Sequence, residues 1–176
     1  TTVNGGLRLT GTQRTDVSVE AEVRVRAPTL AQARDVAATV VVHVERDADR
    51  LLVTRTYPQP ASNVQVNVTY RIETPSHLVA DLSTMNGGIE VRDMAEAVRA
   101  ETMNGGIDAD LSLLGDASSY ATTNGSIEID VAGGCESLTA TTTNGGIEVR
   151  LPSDFTGRFD GSTSNGRVRS EFPMDG

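Results

Sequence analysis

The chain has no lysine and no tryptophan, one cysteine, two histidines, and only three Tyr and three Phe. Each shortage removes a class of reading. Cys135 has no second cysteine to pair with, so no internal disulfide staples the fold; it stands in Ala132-Gly133-Gly134-Cys135-Glu136, which reads as a turn. His43 and His77 have no Cys, His or carboxylate neighbour at metal-ligand spacing, and both read as structural. A sugar-cleaving groove wants aromatic platforms, and this chain has few rings to build them. No stretch approaches the roughly 18 apolar residues of a membrane span, and no signal peptide is present. Gly-x-Ser-x-Gly, His-Glu-x-x-His and Walker patterns are also missing, so the chain reads as no enzyme.

Charge is present in one sign more than the other. The net charge is −9 over 176 residues, and all 15 basic residues are Arg. The acidic excess lies beyond residue 75, and Ala100 to Val149 holds no Arg at all. Such a surface repels phosphate backbones and anionic lipid, so nucleic acid is not an expected partner.

The abundant features are Gly, Thr and Val, and a repeat. Asn-Gly occurs at Asn86, Asn104, Asn124, Asn144 and Asn165, spaced 18, 20, 20 and 21 residues apart, with a sixth copy at Asn4, far off in sequence. Two residues before each Asn stands a Thr: Thr2, Thr84, Thr102, Thr122, Thr142 and Thr163. Three residues after it stand Leu7, Ile89, Ile107, Ile127, Ile147 and Val168, followed by a charge and, mostly, another apolar residue. That alternation is a strand with one buried face.

Asn-Gly between alternating strands is also a hairpin signal. Hairpins, however, do not demand one residue at one place in every copy. Stacked coils do, because equivalent positions lie about 4.8 Å apart up the stack. A column of Asn can then hydrogen-bond along itself, Gly after Asn allows a corner with positive φ, and Ile columns form a core that no single repeat could. The expected fold is therefore all-β, a parallel β-solenoid with rungs of about 20 residues. Its Asn column is Asn86, Asn104, Asn124, Asn144 and Asn165, and its core column Ile89, Ile107, Ile127, Ile147 and Val168.

Residues 1–75 read as a β-rich region with one short helix that caps the solenoid of residues 76–176. Val17 to Arg26 alternates as a strand; Thr29 caps a helix over Leu30 to Ala38; Val40–Val44 and Leu51–Thr56 flank an Asp47-Ala48-Asp49 turn; and Val64 to Ile72 is a further strand ended by Pro75.

Arg71-Ile72-Glu73-Thr74-Pro75 leading into Leu78 to Val91, then Thr-x-Asn-Gly-x-Ile-x-Val copies, resembles the bacterial β-strand-repeat family named for adhesins. The resemblance is best over residues 70–170. It implies a right-handed solenoid, export to the cell envelope or beyond, and no catalytic residues to carry over.

The expected function is a non-enzymatic envelope or extracellular interaction module, with a protein or glycan partner at the cell surface. One alternative is a subunit of a head-to-tail filament, since Thr1 to Leu9 copies the internal motif. A second is a Ca²⁺-dependent module. Asp108 and Asp110 should stack on Glu128 and Asp130, and hard cations take carboxylate oxygens; otherwise Arg92 and Arg150, at the same offset in flanking rungs, neutralise the column. No other cofactor is expected. An ice-binding face would need two outward Thr per rung, and Met85 and Met103 interrupt it.

Overall fold

The computed structural model describes residues 2–47, 50–56, 63–112, 117–134 and 136–170. Cys135 and the turn residues Ala48 and Asp49 lie outside them. The chain opens with β1 (Thr2–Asn4), β2 (Leu7–Thr12) and β3 (Ser18–Arg26), then α1 (Leu30–Ala38). The strands β4 (Val41–Asp47), β5 (Arg50–Thr56) and β6 (Gln65–Pro75) follow. The repeats supply β7 (Ala80–Asn86), β8 (Ile89–Met94), β9 (Val98–Asn104), β10 (Ile107–Leu111), β11 (Ser118–Asn124) and β12 (Ile127–Val131). They close with β13 (Ser137–Asn144), β14 (Ile147–Arg150), β15 (Arg158–Asn165) and β16 (Val168–Ser170).

Each repeat is a strand, an Asn-Gly corner and a returning strand. Strands before the corner form a six-stranded parallel sheet, β1-β7-β9-β11-β13-β15, hereafter sheet A. Strands after it form the larger sheet B, β16-β14-β12-β10-β8-β2-β6-β3, parallel except for β3 against β6. The fold is thus a β-solenoid, and the hairpin reading of Asn-Gly fails: the strands flanking each corner lie in different sheets. The Asn4 copy, distant in sequence, stacks directly on the Asn86 rung, with Thr2 beside Thr84 and Leu7 beside Ile89. Residues 2–12 therefore share the solenoid's sheets, although a division at residue 75 separates them from it in sequence.

The core lies between the sheets. Ile89, Ile107, Ile127 and Ile147 are all buried, as are Val91, Ala109, Ile129 and Val149 two residues on. Val168, on the last rung, is only partly buried. The Thr column also points inward. Thr84, Thr102, Thr122 and Thr142 are buried, and each hydroxyl donates to the carbonyl of the glycine one rung earlier, from 2.9 to 3.2 Å. A buried hydroxyl must find an acceptor, and the turn supplies one in every rung. These threonines are internal struts rather than an outward face.

The first glycine after Asn is required for a reason other than the one the turn motif suggests. Among the described glycines only Gly5 and Gly157 have positive φ, so the corner of the other rungs is not a left-handed one. The cause is close approach. A Cβ on Gly87, Gly105, Gly125, Gly145 or Gly166 would lie 1.8 to 2.2 Å from the carbonyl oxygen of the equivalent glycine below. No Cβ fits there.

The segment before the repeats folds as its patterns suggest. Thr29 caps α1, its hydroxyl accepting from Gln32 N–H at 3.2 Å. The β4–β5 pair is an antiparallel hairpin, in which His43 Nε2 and Thr56 Oγ1 lie 2.7 Å apart. Strand β6 runs parallel to β2, with Tyr70 beside Leu7, and β3 finishes the sheet.

Candidate interaction surface

Two features run the length of the stack on its outside. The first is the Asn column at the corner. Asn86, Asn104, Asn124, Asn144 and Asn165 each donate from Nδ2 to the Oδ1 of the Asn one rung earlier, at 2.7 to 2.8 Å. The ladder begins at Asn4 and has a direction: amide donors face the N-terminal end, and carbonyl acceptors face the C-terminal end.

The second feature is the outer face of sheet B. Register places Arg71, Arg8, Glu90, Asp108, Glu128, Glu148 and Arg169 in one column. Glu73, Thr10, Arg92, Asp110, Asp130 and Arg150 form the next. Asp108 and Asp110 on β10 do lie against Glu128 and Asp130 on β12. Carboxylates this close repel one another, and arginines answer them. Arg92 grips Asp108 with two hydrogen bonds, 2.9 and 2.8 Å, and lies 3.4 Å from Glu90. Arg150 reaches Glu128 at 2.9 Å and Asp130 at 3.2 Å, and also pairs with Glu148. Arg8 closes on Glu90 at 2.6 Å. These bonds hold the Arg92 guanidinium above its usual range, through Asp108 first, and that of Arg150 through Glu128 and then Asp130. Both stay charged at any working pH. Among the described residues no three carboxylate, His or Cys side chains gather as a metal-ligand set.

Beside this face runs an open groove of about 550 Å³. Its floor is the second residue after Asn: Gly6, Gly88, Gly106 and Ser126. Its wall is the first charged column, Arg8, Glu90, Asp108 and Glu128. The floor glycines differ from the obligatory ones. A Cβ on Gly6, Gly88, Gly106 or Gly146 would sit 3.2 to 3.5 Å from its nearest neighbour, and Ser126 and Arg167 already occupy that column. A side chain here asks the neighbouring carbonyl to give by at most a few tenths of an ångström, yet four rungs have none.

The chain matches, over residues 51–171, the family described as a domain of unknown function, DUF7330. The chain belongs to this family. No curated protein and no solved structure matches it. In this DUF7330 chain the matched span runs from β5 through β16 and includes every rung from Asn86 onward. It leaves out Thr2–Thr12, which the fold nevertheless stacks into both sheets.

Sequence reasoning found the Asn and Ile columns and the four carboxylates, which recur at fixed spacing. It missed Tyr70 and Arg55, which finish the N-terminal end. Tyr70 N–H donates to the Gly6 carbonyl at 3.0 Å, and Arg55 Nη1 to that of Asn4 at 3.3 Å. The one hint in sequence was the alternation Val64-Val66-Val68-Tyr70-Ile72, a strand fit to stack on a rung although it lacks Asn-Gly. Burial raises the Tyr70 hydroxyl pKa, partly offset by Arg55.

Among the described residues no helix is long and apolar enough to cross a membrane.

Proposed function

We propose that the chain is a non-enzymatic recognition module of the cell envelope or extracellular space, an adhesin-like scaffold. Its partner lies in the glycine-floored groove against the carboxylate wall. The observation that carries this reading is the second glycine column, which leaves a groove open where the backbone would accept side chains. The wall chooses the partner's chemistry. Glu90, Asp108 and Glu128 line it in an unbroken acidic run, with Arg8 and Arg71 at its N-terminal end, which suits a protein segment that sets cationic side chains against the carboxylates better than a neutral glycan.

The carboxylates suit recognition more than acid–base chemistry. Asp108, Glu128 and Asp130 keep about half of their side chains in solvent (52%, 50% and 43%) and sit in arginine pairs. General acid work favours a desolvated carboxyl whose pKa is raised toward neutrality. The arginine pairs also supply the positive charge that a Ca²⁺ ion would otherwise bring.

Two measurements test the reading. Cells making the full-length protein are fractionated; recovery in the envelope or medium is expected, and recovery in the cytosol alone would overturn the placement. Purified chain is then bound to the isolated envelope fraction beside the double variant Gly88→Gln and Gly106→Gln, whose side chains fill the groove. Saturable binding that weakens at least about tenfold in the variant, at unchanged melting temperature, is the expected result. Equal binding by both removes the groove from the function.

A further inference from the structure

The two ends of the stack are not alike. Every rung offers the next one the same four groups, all read from the interior contacts. The glycine N–H goes to the next Asn carbonyl, as Gly125 to Asn144 at 3.1 Å. The N–H three residues after Asn goes to the next rung's second turn residue, as Ile127 to Gly146 at 2.9 Å. The glycine carbonyl accepts the next Thr hydroxyl, as Gly125 from Thr142 at 3.0 Å. The Asn Oδ1 accepts the next Asn amide, as Asn124 from Asn144 at 2.8 Å.

At the N-terminal end the complementary side of the first rung is taken. Tyr70 N–H occupies the Gly6 carbonyl and Arg55 the Asn4 carbonyl. A Cβ on Gly5 would meet the Val68 carbonyl oxygen at 2.1 Å, much as one on Gly87 would meet that of Gly5 at 2.2 Å. Strand β6 therefore imitates a rung and ends the series. At the C-terminal end β15 and β16 are the last strands of their sheets among the described residues. Gly166 N–H, Val168 N–H, the Gly166 carbonyl and Asn165 Oδ1 are the four groups that the pattern aims outward there. No described residue continues the apolar columns beyond this rung either. Val168 continues the Ile147 column and Phe159 the Leu138 column, and both are only partly buried where their predecessors are fully so.

We infer that this end is a docking edge for an extended Thr-x-Asn-Gly-x-Ile segment of another chain, added in parallel as one more rung. The surface is continuous with an interface that the fold repeats from rung to rung, and its open groups match that motif position by position. A second intact copy is not the supplier, because its own Asn4 rung is held between β6 and the β7–β8 rung. Growth into a head-to-tail filament is blocked for the same reason.

The test uses a fluorescein-labelled synthetic peptide spanning Ser137 to Leu151, titrated with the whole chain and followed by anisotropy and light scattering. Saturable one-to-one binding is expected, with the protein remaining a monomer. A peptide carrying Gly145→Ala, whose methyl has no room between rungs, should bind at least about tenfold more weakly. In the chain, Val168→Pro removes an outward N–H on an edge strand, a position where proline is tolerated. It should weaken binding by a similar factor at unchanged circular dichroism. No binding of the unmodified peptide, equal binding of the Gly145→Ala peptide, or no effect of Val168→Pro overturns the inference. Rods in the scattering of the chain alone overturn its one-ended character.

Discussion

Two glycines that follow the same asparagine should respond in opposite ways to one added methyl group. In the Asn104 rung a Cβ on Gly105 would lie 2.2 Å from the Gly87 carbonyl oxygen and 2.5 Å from its carbon. Normal contact begins more than 1 Å further out, at about 3.4 Å. The obstacle is main chain, held from both sides: Gly87 N–H donates to the Asn104 carbonyl at 3.0 Å, and Thr102 Oγ1 to the Gly87 carbonyl at 2.9 Å. Relief requires parting the rungs by about 1 Å, which weakens both bonds and loosens the Ile89–Ile107 contact. Overpacking commonly costs about 1–3 kcal/mol, and the two bonds add about 1 kcal/mol each, so Gly105→Ala should lose about 3–5 kcal/mol. The next residue is different. A Cβ on Gly106 meets only the Ser126 carbonyl oxygen, at 3.2 Å. That squeeze is set against the roughly 0.4–1 kcal/mol that alanine gains by restricting the unfolded chain. Gly106→Ala should therefore stay within about 1 kcal/mol of the parent. Urea unfolding followed by circular dichroism measures both, with the slope checked for constancy. Equal losses at the two sites would refute the close-approach account. A larger loss at Gly106 would mean that the corner needs glycine for its backbone angles after all.

The inside and outside of sheet B are separable in the same assay. Ile127→Ala opens a space in a column whose side chain is 1% exposed and should cost about 2–5 kcal/mol, while its neighbour Glu128→Gln loses only a surface pair with Arg150, worth about 0–1 kcal/mol. Comparable small effects at both would contradict the assigned faces. Tyr70→Phe should stabilise by about 1 kcal/mol, because the buried Tyr70 hydroxyl has no hydrogen-bond partner among the described residues and phenylalanine keeps the ring. The pH dependence follows in sign. Burial raises the Tyr70 pKa in the folded state, so its contribution is complete below the ordinary tyrosine value near 10 and is lost as pH rises toward the folded value. That alkaline loss should shrink in Tyr70→Phe; a destabilised variant at neutral pH would show that the hydroxyl is satisfied.

Stacking explains what could be read in the sequence. A ladder bond between Asn86 and Asn104 forces one residue type at one position in each rung, so spacing alone exposed the column. Ile107 and Ile127 were equally legible because a core built rung on rung repeats its side chains. The helix was legible from a local device, the Thr29 cap. Thr102 and Thr122 were visible as a column, but their task was not, since the acceptor is a glycine carbonyl 15 or 17 residues earlier. Sequence also named the right glycine for the wrong reason: positive φ is a property of one residue, whereas the 2 Å approach belongs to two rungs. The N-terminal closure was hidden for a related cause. Strand β6 has Val68 and Thr69 where a rung has Gly-Gly, and Arg55 comes from a hairpin elsewhere in the chain, so no period marks either. The pairing of Arg92 and Arg150 with the carboxylates was legible by contrast, because their offset in the flanking rungs sets them at the ends of the acidic column.

The same stacking makes stability directional. In a solenoid each rung is held by its neighbours, so its share of the total is set by the interfaces above and below it. The Asn4 rung has two, one against the Asn86 rung and one against β6 with its antiparallel companion β3. The Asn165 rung has one among the described residues. Its Val168 and Phe159 are only partly buried, and its outward amides face an edge strand's usual hazard of unplanned pairing. Arginine tempers that hazard, since Arg158, Arg167 and Arg169 cluster on this last rung. Charge of this kind discourages flat self-association while leaving the main-chain groups addressable. A rung that is weakly held, apolar inside and charged outside is the part of the stack best suited to accept a strand from elsewhere, and a closed rung at the opposite end confines such acceptance to one side.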